Sequence, residues 1–156
     1  MSAANNGTDG SFILMQLGTR RFALRSDIVA ELAPPVRLHA FPHSAPLLVG
    51  VIVRRGHLVP VYDVAPILLG KSASAHRFYL IALRDFGKVS EPSAIPVDGE
   101  CELATVEMQP REAGQPAYVS GRLTLDGESV DVLDFEALVI SQSSGGSKAH
   151  PREALS

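Results

Sequence analysis

Two histidines four residues apart, His39 and His43, form the most suggestive chemical pair in the sequence. On a helix this spacing would place two imidazoles on one face, where they could bind zinc. Pro42 lies between them and Pro46 follows, so a helix is disfavoured. We therefore expect a loop with two surface histidines and no bound metal.

The nucleophilic side chains lack the sequence context that activates them. No GxSxG motif marks a reactive serine. The single cysteine, Cys101, lies between Glu100 and Glu102, and this acidic charge is expected to raise the pKa of its thiol. Gly50 and Gly56 form neither a GxGxxG nor a Walker phosphate loop. The sequence therefore predicts a protein without catalytic activity or cofactor.

Composition narrows the remaining functions. The 156 residues are 46% apolar and 20% charged, as in an ordinary globular protein. A net charge of −3, with scattered lysines and arginines, argues against nucleic-acid binding. No signal peptide and no apolar run of membrane-spanning length stand out. We expect a cytoplasmic protein that does not insert into the membrane.

The two ends differ from the centre in composition. Residues 1–10 and 141–156 are rich in Ser, Gly, Asn and other polar residues, and are predicted to be flexible tails. The ordered domain is therefore predicted to cover residues 11–140.

Local patterns within the domain predict a mostly β chain. Two short apolar runs flank Gly18-Thr19, which is typical of a hairpin. A short helix is predicted from Ser26, as its N-cap, through DIVAEL, and Pro34-Pro35 would end it. Further strands are predicted at RFYLIALR and ELATVEM.

A segment near the middle of the chain, GVIVRRGHLVPVYDVAPIL, has a counterpart near its end, YVSGRLTLDGESVDVLDFEAL. A shift of 71 positions superimposes three pairs: Gly50 on Gly121, Gly56 on Gly127, and Asp63 on Asp134. The apolar positions of the two segments follow the same shift. The sequence therefore contains a repeated unit.

Each copy is predicted to form a strand, a tight turn, a second strand and a capped helix. Asp126-Gly127 suits a type I′ turn, which needs positive φ at both central residues, and Arg55-Gly56 occupies the same place. Asp63 and Asp134 could each cap a following helix. Because an isolated hairpin cannot bury its apolar face, two copies imply two small barrels packed together.

The predicted turn does not explain why position 55 is an arginine. Arginine has no preference for left-handed backbone, whereas aspartate at the twin position tolerates it. Either the turn differs in type, or the side chain is held at the hairpin tip for a partner. A solvated surface arginine is the third interpretation.

The central segment resembles the hallmark of the CheW-like domain of bacterial chemotaxis adaptor proteins, GVI-N-x-RG-x-x-x-PV-x-D. The matching residues are Gly50, Val51, Ile52, Arg55, Gly56, Pro60, Val61 and Asp63. The resemblance extends from Phe12 to Ile140 and includes the opening strand pair and the closing hairpin.

The resemblance implies two packed five-stranded SH3-like β-barrels with short helices, and no enzymatic activity, cofactor or metal. Such proteins couple the cytoplasmic tips of methyl-accepting chemoreceptors to a CheA-type histidine kinase, whose regulatory domain has the same fold. The receptor tip would lie in a groove between the barrels. The resemblance implies that Arg55 contacts a partner. The other residues expected to contact it are Val49, Val51 and Arg54.

Two departures from the family pattern leave the pathway open. Val53 stands where asparagine is frequent, and Arg54 where an apolar residue is usual. These favour, as alternatives, an adaptor of a divergent chemosensory pathway such as pilus motility, or a homologue that no longer assembles arrays. A small-ligand sensor that uses the cleft between the barrels is the competing class.

Overall fold

The structure is a computed structural model that describes residues 9–71, 78–86 and 89–140. Most of the two predicted tails therefore lies outside the described residues. Asp9 and Gly10, from the predicted N-terminal tail, begin the first strand.

Strands dominate the described chain. They are β1 (Asp9–Leu17), β2 (Arg20–Arg25), β3 (Val29–Ala33), β4 (Leu48–Arg54), β5 (His57–Tyr62), β6 (Phe78–Phe86), β7 (Val89–Val97), β8 (Glu102–Glu107), β9 (Gln109–Pro110), β10 (Val119–Leu125) and β11 (Glu128–Leu133). The helical segments are a 3-10 turn (Ser26–Ile28), α1 (Ala65–Leu69) and α2 (residues 135–140).

The strands form two sheets. Sheet A has the order β8-β1-β2-β11-β10-β9, and sheet B has the order β3-β6-β7-β5-β4. The sixth strand of sheet A is the two-residue β9, and sheet B has only an isolated bridge, His39 to Val51, in the corresponding place. The prediction of a mostly β protein with two small β subdomains and short helices is confirmed.

Three apolar clusters explain why these segments are strands. Sheet B encloses Ala33, Ile52, Val59, Val61, Tyr79, Ile81 and Ala94. Sheet A encloses Phe12, Leu14, Ala23, Leu123, Val130 and Val132. The largest cluster lies between the sheets and includes Met15, Leu17, Phe22, Leu24, Leu80, Ala82, Ile95 and Val97.

Strands β1, β2, β6 and β7 therefore contribute apolar side chains on both faces. In β1, for example, Phe12 and Leu14 belong to the interior of sheet A, whereas Met15 and Leu17 belong to the shared cluster. Successive side chains of a strand point to opposite sides, so a strand buried on both faces must be apolar throughout. This is why FILM, at the start of β1, and FYLIAL, in β6, are continuous apolar runs.

The internal repeat is visible in the pairing of the sheets. Each sheet has one parallel strand pair, and the two pairs join equivalent positions of the repeat. Val61 pairs with Ala94 in sheet B, and Val132 pairs with Ala23 in sheet A. Positions 61 and 132 differ by 71, and so do positions 23 and 94. Strands β2 to β5 of the first half thus correspond to β7, β8, β10 and β11 of the second half. Each half contributes its opening hairpin, β1–β2 or β6–β7, to the sheet of the other half.

Two glycines lie where another backbone segment passes very close. Gly50 and Gly121 follow a register irregularity at the same place in β4 and β10. A Cβ atom on Gly50 would lie 2.6 Å from the carbonyl oxygen of His39, and one on Gly121 would lie 2.6 Å from that of Gln109. Because backbone atoms cannot yield easily, both positions exclude larger residues.

The acids that follow β5 and β11 bond to the first turns of the helices in slightly different ways. The Asp134 carboxylate accepts a hydrogen bond from the amide of Ala137 at 3.0 Å, three residues on. The residue equivalent to Ala137 is Pro66, which has no N–H to donate. Asp63 instead accepts from the amide of Ala65 at 3.1 Å, and Val64 is the N-cap of α1.

The prediction of a helix from Ser26 through DIVAEL is wrong. Only Ser26–Ile28 is helical, as a 3-10 turn whose N-cap is Arg25, without a side-chain capping bond. The chain then enters β3, which pairs with β6. The reason is tertiary: backbone pairing with β6 and burial of Ala33 outweigh a weak local preference for helix.

Replacing Gly121 by alanine should destabilise the protein by about 1–3 kcal/mol, because the new methyl group would force β10 away from β9. Urea unfolding followed by circular dichroism measures the change. Gly99→Ala is the matched control, since a Cβ at Gly99 meets no atom within 4 Å. Equal stability of the two variants would contradict this account of Gly121.

Candidate partner-binding surface

The β4–β5 hairpin, which we call hairpin B, has Arg55 and Gly56 at its tip. Their φ angles are 53° and 80°, and the equivalent residues of the β10–β11 hairpin (hairpin A), Asp126 and Gly127, have φ angles of 51° and 81°. The two turns are therefore of the same type. A difference in turn type does not account for arginine in this left-handed position.

Glu31 on β3 holds both arginines of the hairpin tip. Arg54 donates two hydrogen bonds to its carboxylate, at 2.8 and 3.1 Å, and Arg55 donates two longer ones, at 3.1 and 3.5 Å. Since β3 and β4 are the two edge strands of sheet B, this ion cluster joins the edges through side chains. Sheet B is thereby closed at the hairpin tip.

The cluster changes the titration of its members. Hydrogen bonds from Arg54 and then Arg55 lower the pKa of Glu31 from its ordinary value of 4.5 to about 2. The bond to Glu31 also raises the pKa of Arg54. One carboxylate and two guanidinium groups give the cluster a net charge of +1.

An apolar pair, next to the arginines in sequence, lies on the outward face of hairpin B. Val53 and Leu58 are partners across the two strands, and they are 50% and 69% exposed. Two neighbouring exposed apolar side chains form a small apolar patch that a protein partner could cover. We call Val53, Arg54, Arg55 and Leu58 the hairpin surface.

Hairpin A has the same backbone but different chemistry. The residues equivalent to Val53 and Leu58, 71 positions on, are Thr124 and Ser129, which also pair across the strands. Its tip has Asp126 where hairpin B has Arg55. The fold of the hairpin therefore requires neither the apolar pair nor the arginine.

The four predicted contact residues do not all face the same way. Arg54 and Arg55 meet at Glu31, but Val49 packs against the interior cluster of sheet B. Val51 exchanges two backbone hydrogen bonds with His39, at 2.8 and 3.0 Å. The structure therefore brings together the two arginines but separates Val49 from them.

Sequence reasoning missed three residues of this site: Glu31, Val53 and Leu58. The predicted two-residue turn does imply that Val53 and Leu58 pair, since each lies two positions from the turn. Their exposure could have been inferred because Ile52 and Val59, the neighbouring pair, match buried positions of the twin. Glu31 lies in a segment predicted as helix, so its contact with hairpin B had no local signal.

The seam between the two sheets contains a cavity of about 470 Å³. Its charged lining consists of Arg25, Asp27, Asp134 and Glu136. Asp27 accepts from Arg25 at 3.3 and 3.5 Å, Asp134 caps α2, and Glu136 accepts from Arg84. Because these acids already accept bonds within the chain, their arrangement does not favour a small-ligand site.

An ion pair between a largely buried arginine and a partly exposed glutamate joins α2 to sheet B beside this cavity. Arg84 on β6 donates to both carboxylate oxygens of Glu136 on α2, at 3.0 and 3.1 Å, and also to the hydroxyl of Tyr62, at 3.2 Å. The hydrogen bonds that Arg84 donates to Glu136 raise the pKa of Arg84. Such a bidentate pair fixes the orientation of α2 relative to sheet B.

Comparison with known proteins decides the family. The family model described as "CheW-like domain" matches residues 11–143. The chain belongs to the CheW-like domain family. No curated protein is significantly similar in sequence.

Among solved structures, this CheW-like chain is similar to the crystal structure of the scaffolding protein TtCheW from Thermoanaerobacter tengcongensis. The TM-score is 0.71 at 17% sequence identity, and the match covers 83% of this chain and 92% of the other. At this identity the likeness concerns the fold.

The other candidate chemical features of the sequence were a metal site, a membrane span, two histidines and a cysteine. In residues 9–71, 78–86 and 89–140, no group of three His, Cys, Asp or Glu side chains could hold a metal ion, and no helix is long and apolar enough to span a membrane. His39 and His43 lie in the extended, non-helical connection between β3 and β4, as predicted. The pKa of Cys101 is raised to about 11, but the cause is burial and not its acidic neighbours.

Glu31→Gln should lower the stability of the domain by about 1 kcal/mol at pH 7, the order expected for a partly exposed ion pair. Because the pKa of Glu31 is depressed in the folded state, its stabilising effect is present above pH 4.5 and is lost as the pH falls towards 2. Urea unfolding of both proteins at pH 7, 4 and 2.5 should therefore show a shrinking gap. Glu107→Gln, an exposed carboxylate on β8, is the control, and a gap independent of pH would refute the ion cluster.

Proposed function

We propose that this CheW-like chain is a non-catalytic cytoplasmic adaptor that couples chemoreceptors to a CheA-type histidine kinase. Membership of the CheW-like family supports an adaptor role. The observation that carries the assignment is the hairpin surface, which combines exposed apolar and cationic groups absent from the twin hairpin. A protein partner that presents apolar and carboxylate groups would complement it.

The surface can contribute to binding in two ways. Burial of Val53 and Leu58 would supply affinity, since a fully buried Val or Leu side chain contributes about 1.5–3 kcal/mol. Arg55 would supply orientation, because its guanidinium forms directional bonds with a carboxylate. The residues that depart from the family pattern, Val53 and Arg54, lie within this surface, so they would tune the choice of partner.

The two barrels act as a rigid support for this contact. Hairpin B is anchored by Ile52, Val59 and Val61, which are almost completely buried inside sheet B. A preorganised surface binds without the loss of conformational freedom that a mobile one would suffer. We propose the regulatory domain of the kinase and the receptor tip as the two partners to be tested.

Arg55→Asn should weaken binding to the partner that contacts hairpin B by about tenfold or more, the effect typical of a central contact. Asparagine tolerates left-handed backbone, so the turn should persist. Isothermal titration calorimetry with the purified kinase regulatory domain and with a receptor-tip fragment measures this. Asp126→Asn, at the tip of hairpin A, is the control, and wild-type affinity of the Arg55 variant for both partners would remove Arg55 from the site.

The double variant Val53→Thr with Leu58→Ser gives hairpin B the residues of its twin. We expect the same partner to lose affinity by at least tenfold, because most of the exposed apolar area of the surface disappears. Leu103→Ser is the matched control, since Leu103 on β8 is 67% exposed but lies on sheet A. If both variants lost the same affinity for the partner, the effect would not depend on the apolar pair of hairpin B.

A further inference from the structure

The two arginines around Glu31 are held unequally. The inner one, Arg54, makes the shorter bonds and its side chain is 24% exposed, whereas that of Arg55 is 71% exposed. The Glu31 side chain itself is 25% exposed. The outer arginine is thus the member of the cluster that a partner can reach.

Both guanidinium groups donate to the same two oxygens. Oε1 of Glu31 accepts from Nη2 of Arg54 and Nη2 of Arg55, and Oε2 accepts from Nε of each. A carboxylate has enough lone pairs to accept all four bonds. If Arg55 leaves, each oxygen still has a donor from Arg54, so departure leaves no unpaired charge.

We propose that Arg55 is a carboxylate-binding arginine that Glu31 holds in place, and that Arg54 is the positioning residue that allows it to move to an acidic side chain of the partner. Without Arg54, the transfer of Arg55 would strip Glu31 of both guanidinium groups, and Glu31 would compete with the partner. The inference rests on the proposed function and specifies how the hairpin surface recognises its partner.

In the twin sheet, the counterpart of Glu31 has a different ion-pair partner. Glu102 is the counterpart of Glu31, 71 positions on, and the counterparts of the two arginines are Leu125 and Asp126. Glu102 instead contacts Arg21 on β2, at 3.6 Å. The paired arginines are therefore confined to the barrel that also exposes an apolar pair.

Binding measurements on four proteins test the exchange. The proteins are the wild type, Arg54→Met, Glu31→Gln, and the double variant of both, each titrated with the kinase regulatory domain and the receptor-tip fragment. We expect Arg54→Met to weaken binding by about twofold to fivefold, within the range of a partly exposed ion pair. Adding Glu31→Gln should restore the affinity, because no internal carboxylate then competes for Arg55.

A titration of the protein without any partner tests the role proposed for Arg54. The carboxyl carbon of Glu31 is followed by NMR against pH in the wild type, Arg54→Met and Arg55→Met. The pKa of Glu31 should rise further towards its ordinary value when Arg54 is removed than when Arg55 is removed. Melting curves confirm that each variant is folded.

The outcomes separate this inference from the proposed function. If the wild type binds but Arg54→Met binds equally well, or the double variant does not recover, the exchange is refuted and the adaptor role stands. If removal of Arg55 raises the pKa of Glu31 more than removal of Arg54, the positioning role is refuted. If the wild type binds neither partner, the proposed function falls and the inference falls with it.

Discussion

The structure depends on the apolar core that the two sheets share. Strands β1, β2, β6 and β7 are buried on both faces, so each sheet covers the back of the other. A small curled sheet whose outer face was exposed to water would bury too little apolar area to be stable alone. Exchange of the opening hairpins between the two halves ties both sheets to this core, and neither half contains a complete sheet of its own.

The repeat then supplies two nearly identical supports. Both closing hairpins have the same turn, the same register irregularity and the same close approach at a glycine, Gly50 or Gly121. These shared features concern backbone geometry and interior packing. The outer side chains are free to differ, and hairpin A is polar and acidic where hairpin B is apolar and cationic. The proposed binding surface is thus a difference between two copies of one scaffold.

The charged groups of the molecule have two kinds of role. The Arg84 side chain is only 10% exposed and its bidentate bond to Glu136 holds α2 against sheet B, so its loss would alter the seam. The cluster around Glu31 lies at an exposed edge, where one guanidinium is redundant for charge pairing. A redundant donor at the surface can be exchanged at low cost, whereas a buried bidentate pair cannot. This contrast separates the structural arginine from the one available to a partner.

By itself, the sequence determined the repeat, the β-rich class and the places of the tight turns. Those features depend on local rules: the shift of 71 positions, the alternation of apolar residues, and the need for glycine at positive φ. The same pattern also allowed the family to be recognised, and Arg55 stood out because its turn did not explain it.

Only the tertiary structure decided the rest. Which hairpin joins which sheet depends on contacts between residues far apart in sequence, such as Val61 with Ala94. The segment after Ser26 became β3 because β6 offered backbone partners, and only then did Glu31 reach the tip of hairpin B. Long-range pairing has no local signature, so the carboxylate that holds both arginines could not be found from the sequence.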